Sequence, residues 1–317
     1  MPHLLIAGKL HPAGLALLED SGGLTFDHVE EVSEASYAPL IGKADALVIR
    51  TQPMSAATIA QASRLKIVSR HGVGYDSVDV AALNKQRIPL CVVGDVNSLS
   101  VAEHAMMLIL ACAKQVLRAD RAVRSGPWGW RNKLEAAEIS GKRLLIIGYG
   151  RSGRHLAQMA EGFRMEVRAF DPFLVERGWP EGPVAPAASL ADGLAWADVV
   201  SVNVPKAGRP IIGAEEFARL KPGAIVVNTA RGGVVDEAAL ASALADGRVA
   251  GAGLDVFDDE PPAKGHPLLA FDQVVLSPHI AGLTQQAAER MAVSSVQNVI
   301  DFFAGRIDPD LIVNRDF

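Results

Sequence analysis

An apolar run that breaks into closely spaced glycines, Leu144-Leu145-Ile146-Ile147-Gly148-Tyr149-Gly150-Arg151-Ser152-Gly153, constrains this chain more than any other ten residues in it. The aliphatic residues read as a strand buried on both faces. Gly148 then allows a tight turn, Gly150 lets backbone N–H groups approach a pyrophosphate, and Gly153 lets the next helix pack close to the strand. That helix is amphipathic through Leu156, Met159, Ala160 and Phe163, and it directs its positive N-terminal end at the phosphates. A second strand, Val167 to Phe170, ends at Asp171, whose carboxylate can accept both hydroxyls of an adenosine ribose and repel a 2′-phosphate. Strand, glycine turn, helix and acid together predict a unit that holds a dinucleotide, with NAD favoured over NADP.

The flanking sequence alternates short apolar runs with helical segments. Before the glycine turn, His3 to Ala7, Ala46 to Ile49, Leu65 to Ser69 and Leu90 to Val93 read as strands, separated by helices such as Pro12 to Leu18 and Ala56 to Ala62. After it, strands are expected at Val199 to Asn203, Ala224 to Asn228, Ala250 to Val256 and Val274 to Ser277, with helices at Ala214 to Leu220, Asp236 to Ala245 and Gln285 to Phe303. A chain of 317 residues fits two domains of about 150 residues each. The first series stops near residue 97 with too few closing elements, and the residues after 282 have no domain of their own. The simplest arrangement returns them to the first series. The predicted fold is therefore α/β with two doubly wound parallel-sheet domains. A Rossmann dinucleotide-binding domain, 98–282, is nested within a flavodoxin-like substrate-binding domain formed by 1–97 plus 283–317.

Ser100-Val101-Ala102-Glu103 reads as a capping box opening a long apolar helix that runs to about Arg118. Such a helix needs cover, expected either between domains or at a subunit interface; with Trp128 and Trp130 beyond it, a homodimer is predicted. The unbroken apolar stretch within it, Ala105 to Ala113, is too short for a bilayer, so no membrane association is expected. Net charge is −5 with no basic stripe, which argues against nucleic acid. The two cysteines, Cys91 and Cys112, sit in apolar runs without metal-like spacing, predicting no metal and a reduced, cytoplasmic setting. Met1 to Gly8 lacks the pattern of a secretory signal. Pro172 to Pro186 and Glu260 to Pro267 read as surface loops.

Three polar residues follow three successive strands of the second series: Arg231, Glu260 and His279. In a parallel sheet the C-terminal strand ends share one edge, where ligands bind, so all three can converge beside a dinucleotide. Hydride transfer to a 2-keto acid makes an alkoxide that must be protonated, and its carboxylate needs a cation. His279 can serve as the acid, and as the base in the reverse direction. Glu260 facing the other ring nitrogen would orient the imidazole and keep its proton available. Arg231 presents a planar fork suited to a carboxylate.

The segments around these residues resemble the signatures of the D-isomer-specific 2-hydroxyacid dehydrogenase family. They are Asn228-Thr229-Ala230-Arg231-Gly232-Gly233-Val234-Val235-Asp236, then Gly253-Leu254-Asp255-Val256-Phe257 through Glu260-Pro261-Pro262, then Ser277-Pro278-His279-Ile280-Ala281-Gly282. The resemblance covers essentially the whole chain, including the nested order, and is closest to the phosphoglycerate dehydrogenase and hydroxypyruvate reductase-like branch. It implies that Arg231, Glu260 and His279 form the catalytic triad and that Asp255 sits at the nicotinamide carboxamide. Arg151, Ser152, Val204, Thr229 and Gly282 would line the cofactor.

The resemblance also makes Ser69-Arg70-His71-Gly72-Val73-Gly74-Tyr75-Asp76 the substrate-carboxylate loop, with the amides near Val73 and Gly74 forming an anion-binding concavity. Arg50 and Arg70 match arginines that hold a distal phosphate in the phosphoglycerate branch, although Arg70 also recurs among relatives acting on hydroxypyruvate and glyoxylate. No regulatory domain is expected to follow residue 317. The implied substrates are hydroxypyruvate, glyoxylate or 3-phosphohydroxypyruvate/3-phosphoglycerate. Salt bridges between domains are the alternative role for both arginines.

Two departures stand out. Asn203-Val204-Pro205-Lys206-Ala207-Gly208-Arg209 replaces the family's usual Pro-Leu-Thr, and Lys206 and Arg209 would put positive charge near the adenosine side, leaving room for NADP. Ser152 replaces a usual isoleucine. A competing reading is a catalytically idle, NAD-sensing partner protein like the family's corepressor branch. Formate dehydrogenase-like chemistry needs no proton donor, so a Glu paired with His279 fits it poorly.

Overall fold

In the computed structural model, which describes residues 1–206 and 208–315, the chain divides into two units: Met1–Asn97 together with residues from Leu283 on, and Ser98–Gly282. The first unit carries strands β1 (His3–Ala7), β2 (Thr25–Val29), β3 (Ala46–Ile49), β4 (Ile67–Arg70) and β5 (Leu90–Cys91), all parallel in the order β2-β1-β3-β4-β5. This is the flavodoxin-like order. Leu5, Leu47, Ile49 and Val68 face a core with Tyr37, Ile41, Ile59 and Leu83, while Leu4, Ile6, Val48 and Ile67 face Leu18, Val296 and Val299. Burial on both faces explains why these strands are continuous aliphatic runs rather than alternating ones.

The helix Gln285–Phe303 thus covers one face of the first sheet. Ser69 donates its hydroxyl to the Ser295 carbonyl at 2.8 Å, and the Asn298 amide donates to the Val92 carbonyl at 3.1 Å. The edge strand β2 escaped sequence reading because Thr25-Phe26-Asp27-His28-Val29 is mostly half-buried and carries polar residues.

The second unit contains β6 (Arg143–Ile147), β7 (Glu166–Phe170), β8 (Ala185–Pro186), β9 (Val199–Val202), β10 (Ala224–Asn228), β11 (Val249–Leu254) and β12 (Val274–Leu276). All are parallel, in the order β12-β11-β10-β9-β6-β7-β8, which is the Rossmann order with one further strand at the β12 edge. The proline-rich run 172–186 is not purely loop. It holds the helix Pro172–Arg177, which Asp171 caps through the Leu174 amide, and the short strand β8.

The long apolar helix also differs from expectation. It begins at Ser98, two residues before the capping pattern, so Ser100 is buried within its first turn. It ends at Lys114 because Gln115 turns left-handed (φ 53°), with its backbone N–H and side-chain amide both donating to the Cys112 carbonyl. The helix Val116–Ser125 continues at 55° to it. Within its own unit the long helix is covered by the sheet. A Cβ on Gly253 of β11 would lie 2.7 Å from Leu108 Cβ, and one on Gly251 would lie 3.2 Å from Cys112 Cβ. Glycines at alternate positions of β11 therefore let the helix seat directly on the strand. Among the described residues, no single helix is long and apolar enough to cross a membrane.

Gly253→Ala forces this helix away from β11 and should cost about 1–3 kcal/mol, whereas Gly162→Ala, with nothing within 4 Å at a helix end, should be neutral or slightly stabilising. Urea unfolding of the two variants checks the contrast; equal stability in both would contradict the packing.

Candidate active site

The dinucleotide motif is built at the point where the strand order reverses, between β6 and β9. Gly148 adopts φ 91°, and a Cβ on it would lie 2.6 Å from the Asn203 carbonyl oxygen and 2.8 Å from Val204 Cγ1. The loops after β6 and β9 therefore touch, and only glycine permits it. A Cβ on Gly153 would collide with the Gly148 carbonyl, while one on Gly150 would meet open space. Gly150 caps the helix Arg151–Gly162 without any side chain, so the first N–H groups of that helix keep their capacity for an anion. Arg151 is exposed and Ser152 half-buried on its first turn.

Asp171 is held for recognition from two sides. One carboxylate oxygen accepts from the Tyr149 amide at 3.0 Å and the other from the Leu174 amide at 3.2 Å, leaving further lone pairs for ribose hydroxyls. The Tyr149 ring stacks on Trp179 with centroids 5.3 Å apart, fastening the glycine turn to the segment after β7. Two buried oxygens, Thr229 Oγ1 and Asn203 Oδ1, have no hydrogen-bond partner among the described residues. Orphaned buried polar atoms after β9 and β10 on this sheet edge fit a polar ligand such as a dinucleotide. Lys206 does not approach the adenosine side as expected. It lies against Gly233, whose Cβ would be 3.1 Å from Lys206 Cε, so its charge sits by the loop after β10, whereas Asp171 follows β7 across β9 and β6.

At the other end of the edge, β10, β11 and β12 present Arg231, Glu260 and His279. Asn228 shapes the first loop: its side chain accepts from the Ala230 amide at 3.0 Å and donates to the Arg231 carbonyl at 2.9 Å. Arg231 Nη1 donates to the Ala230 carbonyl at 2.7 Å. A Cβ on Gly232 would overlap the Phe257 carbonyl, so this loop is pressed against the start of the segment that carries Glu260. Neither Asn228 nor Gly232 emerged from the sequence as functional. An amide ending a buried strand before Thr-Ala-Arg-Gly was the available signal.

Glu260 accepts from the Phe257 amide at 3.1 Å through Oε1 and from His279 Nδ1 at 2.7 Å through Oε2. The imidazole is half exposed, which leaves Nε2 accessible. His279 sits in the left-handed region at φ 55°, its N–H donating to the Asp255 carbonyl at 2.8 Å. The buried Asp255 carboxylate accepts from the Ile280 and Ala281 amides at 2.9 and 2.8 Å and from the Ser277 hydroxyl at 2.6 Å; Gly282 follows directly. Ser277 in turn accepts from His104 Nε2 at 2.8 Å. A cavity of about 390 Å³ opens beside the Glu260–His279 pair, walled mainly by Phe257, Pro261, Leu269 and Leu276.

In the first unit, the loop after β4 carries the proposed carboxylate amides, with Val73 exposed and Gly74 half-buried. Arg50 is half-buried at the end of β3. Arg70 folds back onto its own loop, Nη1 donating to the His71 carbonyl at 2.7 Å and more weakly to the Ile49 carbonyl at 3.4 Å. His71 is 6% exposed, and neither ring nitrogen has a partner among the described residues.

The second unit is thus a Rossmann domain whose sheet edge presents a carboxylate-steered imidazole, and the first is a flavodoxin-like unit with a glycine-bracketed loop. Residues 106–281 match the family model described as "D-isomer specific 2-hydroxyacid dehydrogenase, NAD binding domain". A D-3-phosphoglycerate dehydrogenase from Archaeoglobus fulgidus is 39% identical over 268 residues, 84% of this chain and 50% of that protein. The chain therefore spans only half the length of that relative. A glyoxylate reductase from Aeropyrum pernix is 35% identical over 99% of this chain and 96% of its own. The crystal structure of an Aquifex aeolicus D-lactate dehydrogenase complexed with NAD and lactic acid superposes with a TM-score of 0.86 at 26% identity, covering 99% of this chain and 100% of that one. The chain belongs to the D-isomer specific 2-hydroxyacid dehydrogenase family.

Burial, and then the positive charges of Arg50 and Arg70, push the His71 imidazole down from its ordinary 6.5 to about 4. Folded His71 stays neutral where the unfolded chain takes up a proton, so its contribution is intact above about pH 6.5 and is lost as pH falls towards 4, by up to about 3 kcal/mol. Urea unfolding at neutral pH and near pH 5 should show the loss in the native protein and a flatter profile in His71→Leu. Identical pH dependence in both would contradict this environment.

Proposed function

We propose that the chain is an NAD-dependent D-2-hydroxyacid dehydrogenase that reversibly reduces a small 2-keto acid. The observation that carries the reading is the 2.7 Å bond between Glu260 and His279 Nδ1, with the half-exposed ring at the same sheet edge as Arg231. NADH, when bound, supplies the hydride. Gly148, Gly150 and the uncapped helix at Arg151 would hold its pyrophosphate, Asp171 its adenosine ribose, and Thr229 with Asn203 would meet polar atoms nearer the reacting ring.

His279 Nε2 donates a proton to the substrate oxygen as the carbonyl is reduced and takes it back in the oxidative direction. Glu260 fixes the ring by holding Nδ1, and its charge stabilises the imidazolium. Arg231 grips the substrate carboxylate and polarises the adjacent carbonyl. In the first unit, the amides at Val73 and Gly74 support a carboxylate-bearing substrate, and Arg50 and Arg70 add positive charge suited to a second anionic group. Hydroxypyruvate, glyoxylate and 3-phosphohydroxypyruvate are the substrates to compare; one relative is named for glyoxylate, and 3-phosphohydroxypyruvate is the keto acid that corresponds to the 3-phosphoglycerate in another's name. No observation favours a catalytically idle role. The two buried, unpaired thiols support a reducing, cytoplasmic compartment.

Loss of NADH absorbance with these three acids tests the reading. His279→Gln and Arg231→Ala should each lower kcat/KM by about a hundred- to ten-thousandfold. Full activity in both variants would remove the mechanism.

The same reading includes a homodimer. Met107 and Leu117 are 44% exposed, Val123 and Trp128 65%, and Leu134 86%, clustered along one stretch of chain in the second unit. A second copy burying these residues accounts for apolar side chains that a monomer would leave in water. Light scattering should give twice the 33.5 kDa chain mass, and Trp128→Asp with Leu134→Asp should reduce it. A monomer at working concentration would refute the pairing.

A further inference from the structure

We propose that His104, Ser277 and Asp255 form a hydrogen-bonded chain whose role is to position His279, so that a residue on a distant helix sets the aim of the proton donor. The proposal rests on the reading of His279 as that donor. It starts from a strain. His279 is not glycine, yet it holds φ 55°, a strained conformation that persists only where the surroundings over-determine it.

Asp255 does the over-determining. Its backbone carbonyl takes the His279 N–H, and its carboxylate takes the N–H groups of Ile280 and Ala281, so one residue binds three consecutive amides across the strained turn. The carboxylate is only 1% exposed, and its orientation fixes where those amides lie. The Ser277 hydroxyl, 2.6 Å from the same Oδ1 that accepts from Ile280, fixes that orientation further.

The direction of the chain follows from donor and acceptor chemistry. An ionised carboxylate only accepts, so the Ser277 proton points to Asp255. Its oxygen then accepts from His104, which places the His104 proton on Nε2, 2.8 Å from Ser277 and 3.6 Å from Asp255 Oδ1. His104 sits one helical turn before Leu108, the residue that seats its helix on Gly253 of β11, and so lies on the face turned to the sheet. The chain thus runs from a helix locked to the sheet, through Ser277 and Asp255, to the turn that presents His279. Nothing between 104 and 277 in the sequence announces it.

Removing His104 leaves the donors to Asp255 present but frees the Ser277 hydroxyl to rotate, which loosens the carboxylate and the two amides it binds. His104→Ala should lower kcat by on the order of ten- to a hundredfold, as expected for a misaimed donor, with little change in the keto-acid KM. His104→Gln can donate from the position of Nε2 and should recover most of the loss. In nitrogen-correlated NMR of the cofactor-free protein, the His279 ring signals should shift or broaden in the alanine variant and return in the glutamine one. A double-mutant cycle should show His104→Ala adding little to Ser277→Ala.

A merely structural role would lower the unfolding midpoint while leaving kcat per folded molecule and the His279 signals unchanged. That result, or equal losses in the alanine and glutamine variants, overturns the proposal. If the native protein reduces none of the keto acids but His279 still responds to His104→Ala, the positioning stands and the dehydrogenase reading falls.

Discussion

Parallel pairing of β10, β11 and β12 is the constraint on which the chemistry depends, because it delivers the loops after three neighbouring strands to a single edge. Alignment of strands brings loops near one another only within several ångströms. The remaining precision comes from backbone contacts that exclude side chains. Gly232 presses against the Phe257 carbonyl and so joins the loop of Arg231 to the segment of Glu260, just as Gly148 joins the loops after β6 and β9. The same device serves both ends of the edge, one at the glycine turn and one at the Glu260–His279 pair.

In the first unit the loop after β4 is left exposed at Val73 and has to be held by its own contacts. Arg70 contributes by bonding the His71 carbonyl of its own loop. A guanidinium used this way still lends its charge to the surroundings: burial does most to keep His71 neutral, and the charges of Arg50 and then Arg70 add to it. Fastening the loop does not remove the charge of Arg70, so the structural role leaves the proposed anion-binding role open to it.

Most of the fold was legible in the sequence because buried parallel strands are continuous aliphatic runs. Ala46–Ile49, Ala224–Asn228 and Gln285–Phe303 fall where periodicity puts them. Reading failed where elements are half-exposed, as in β2, or where a local pattern competes with tertiary packing. Ser100 and Glu103 have the spacing of a cap, but the helix is already seated on Gly253 and starts at Ser98. Gln115 gave no warning of a helix break, since its left-handed turn is closed by a bond to Cys112 rather than by a glycine. At the candidate site, Arg231, Glu260 and His279 were visible as isolated polar residues after apolar strands. The residues that hold them were not, because Asn228, Gly232 and His104 act through contacts defined only by the folded chain.

Asp255 shows why such residues cannot be replaced by something simpler. A fully buried carboxylate is costly to desolvate, and the donors around it offset that cost rather than exceed it. An apolar residue of similar size would fill the space at less expense to stability. It could not bind two amides of the turn through its side chain, nor could it carry the orientation of Ser277 onward to that turn. The buried charge is thus best understood as a geometric element. It converts the rigidity of a helix packed on β11 into a left-handed turn at His279, and the exposed Glu260 then needs to fix only the rotation of a ring whose base is already in place.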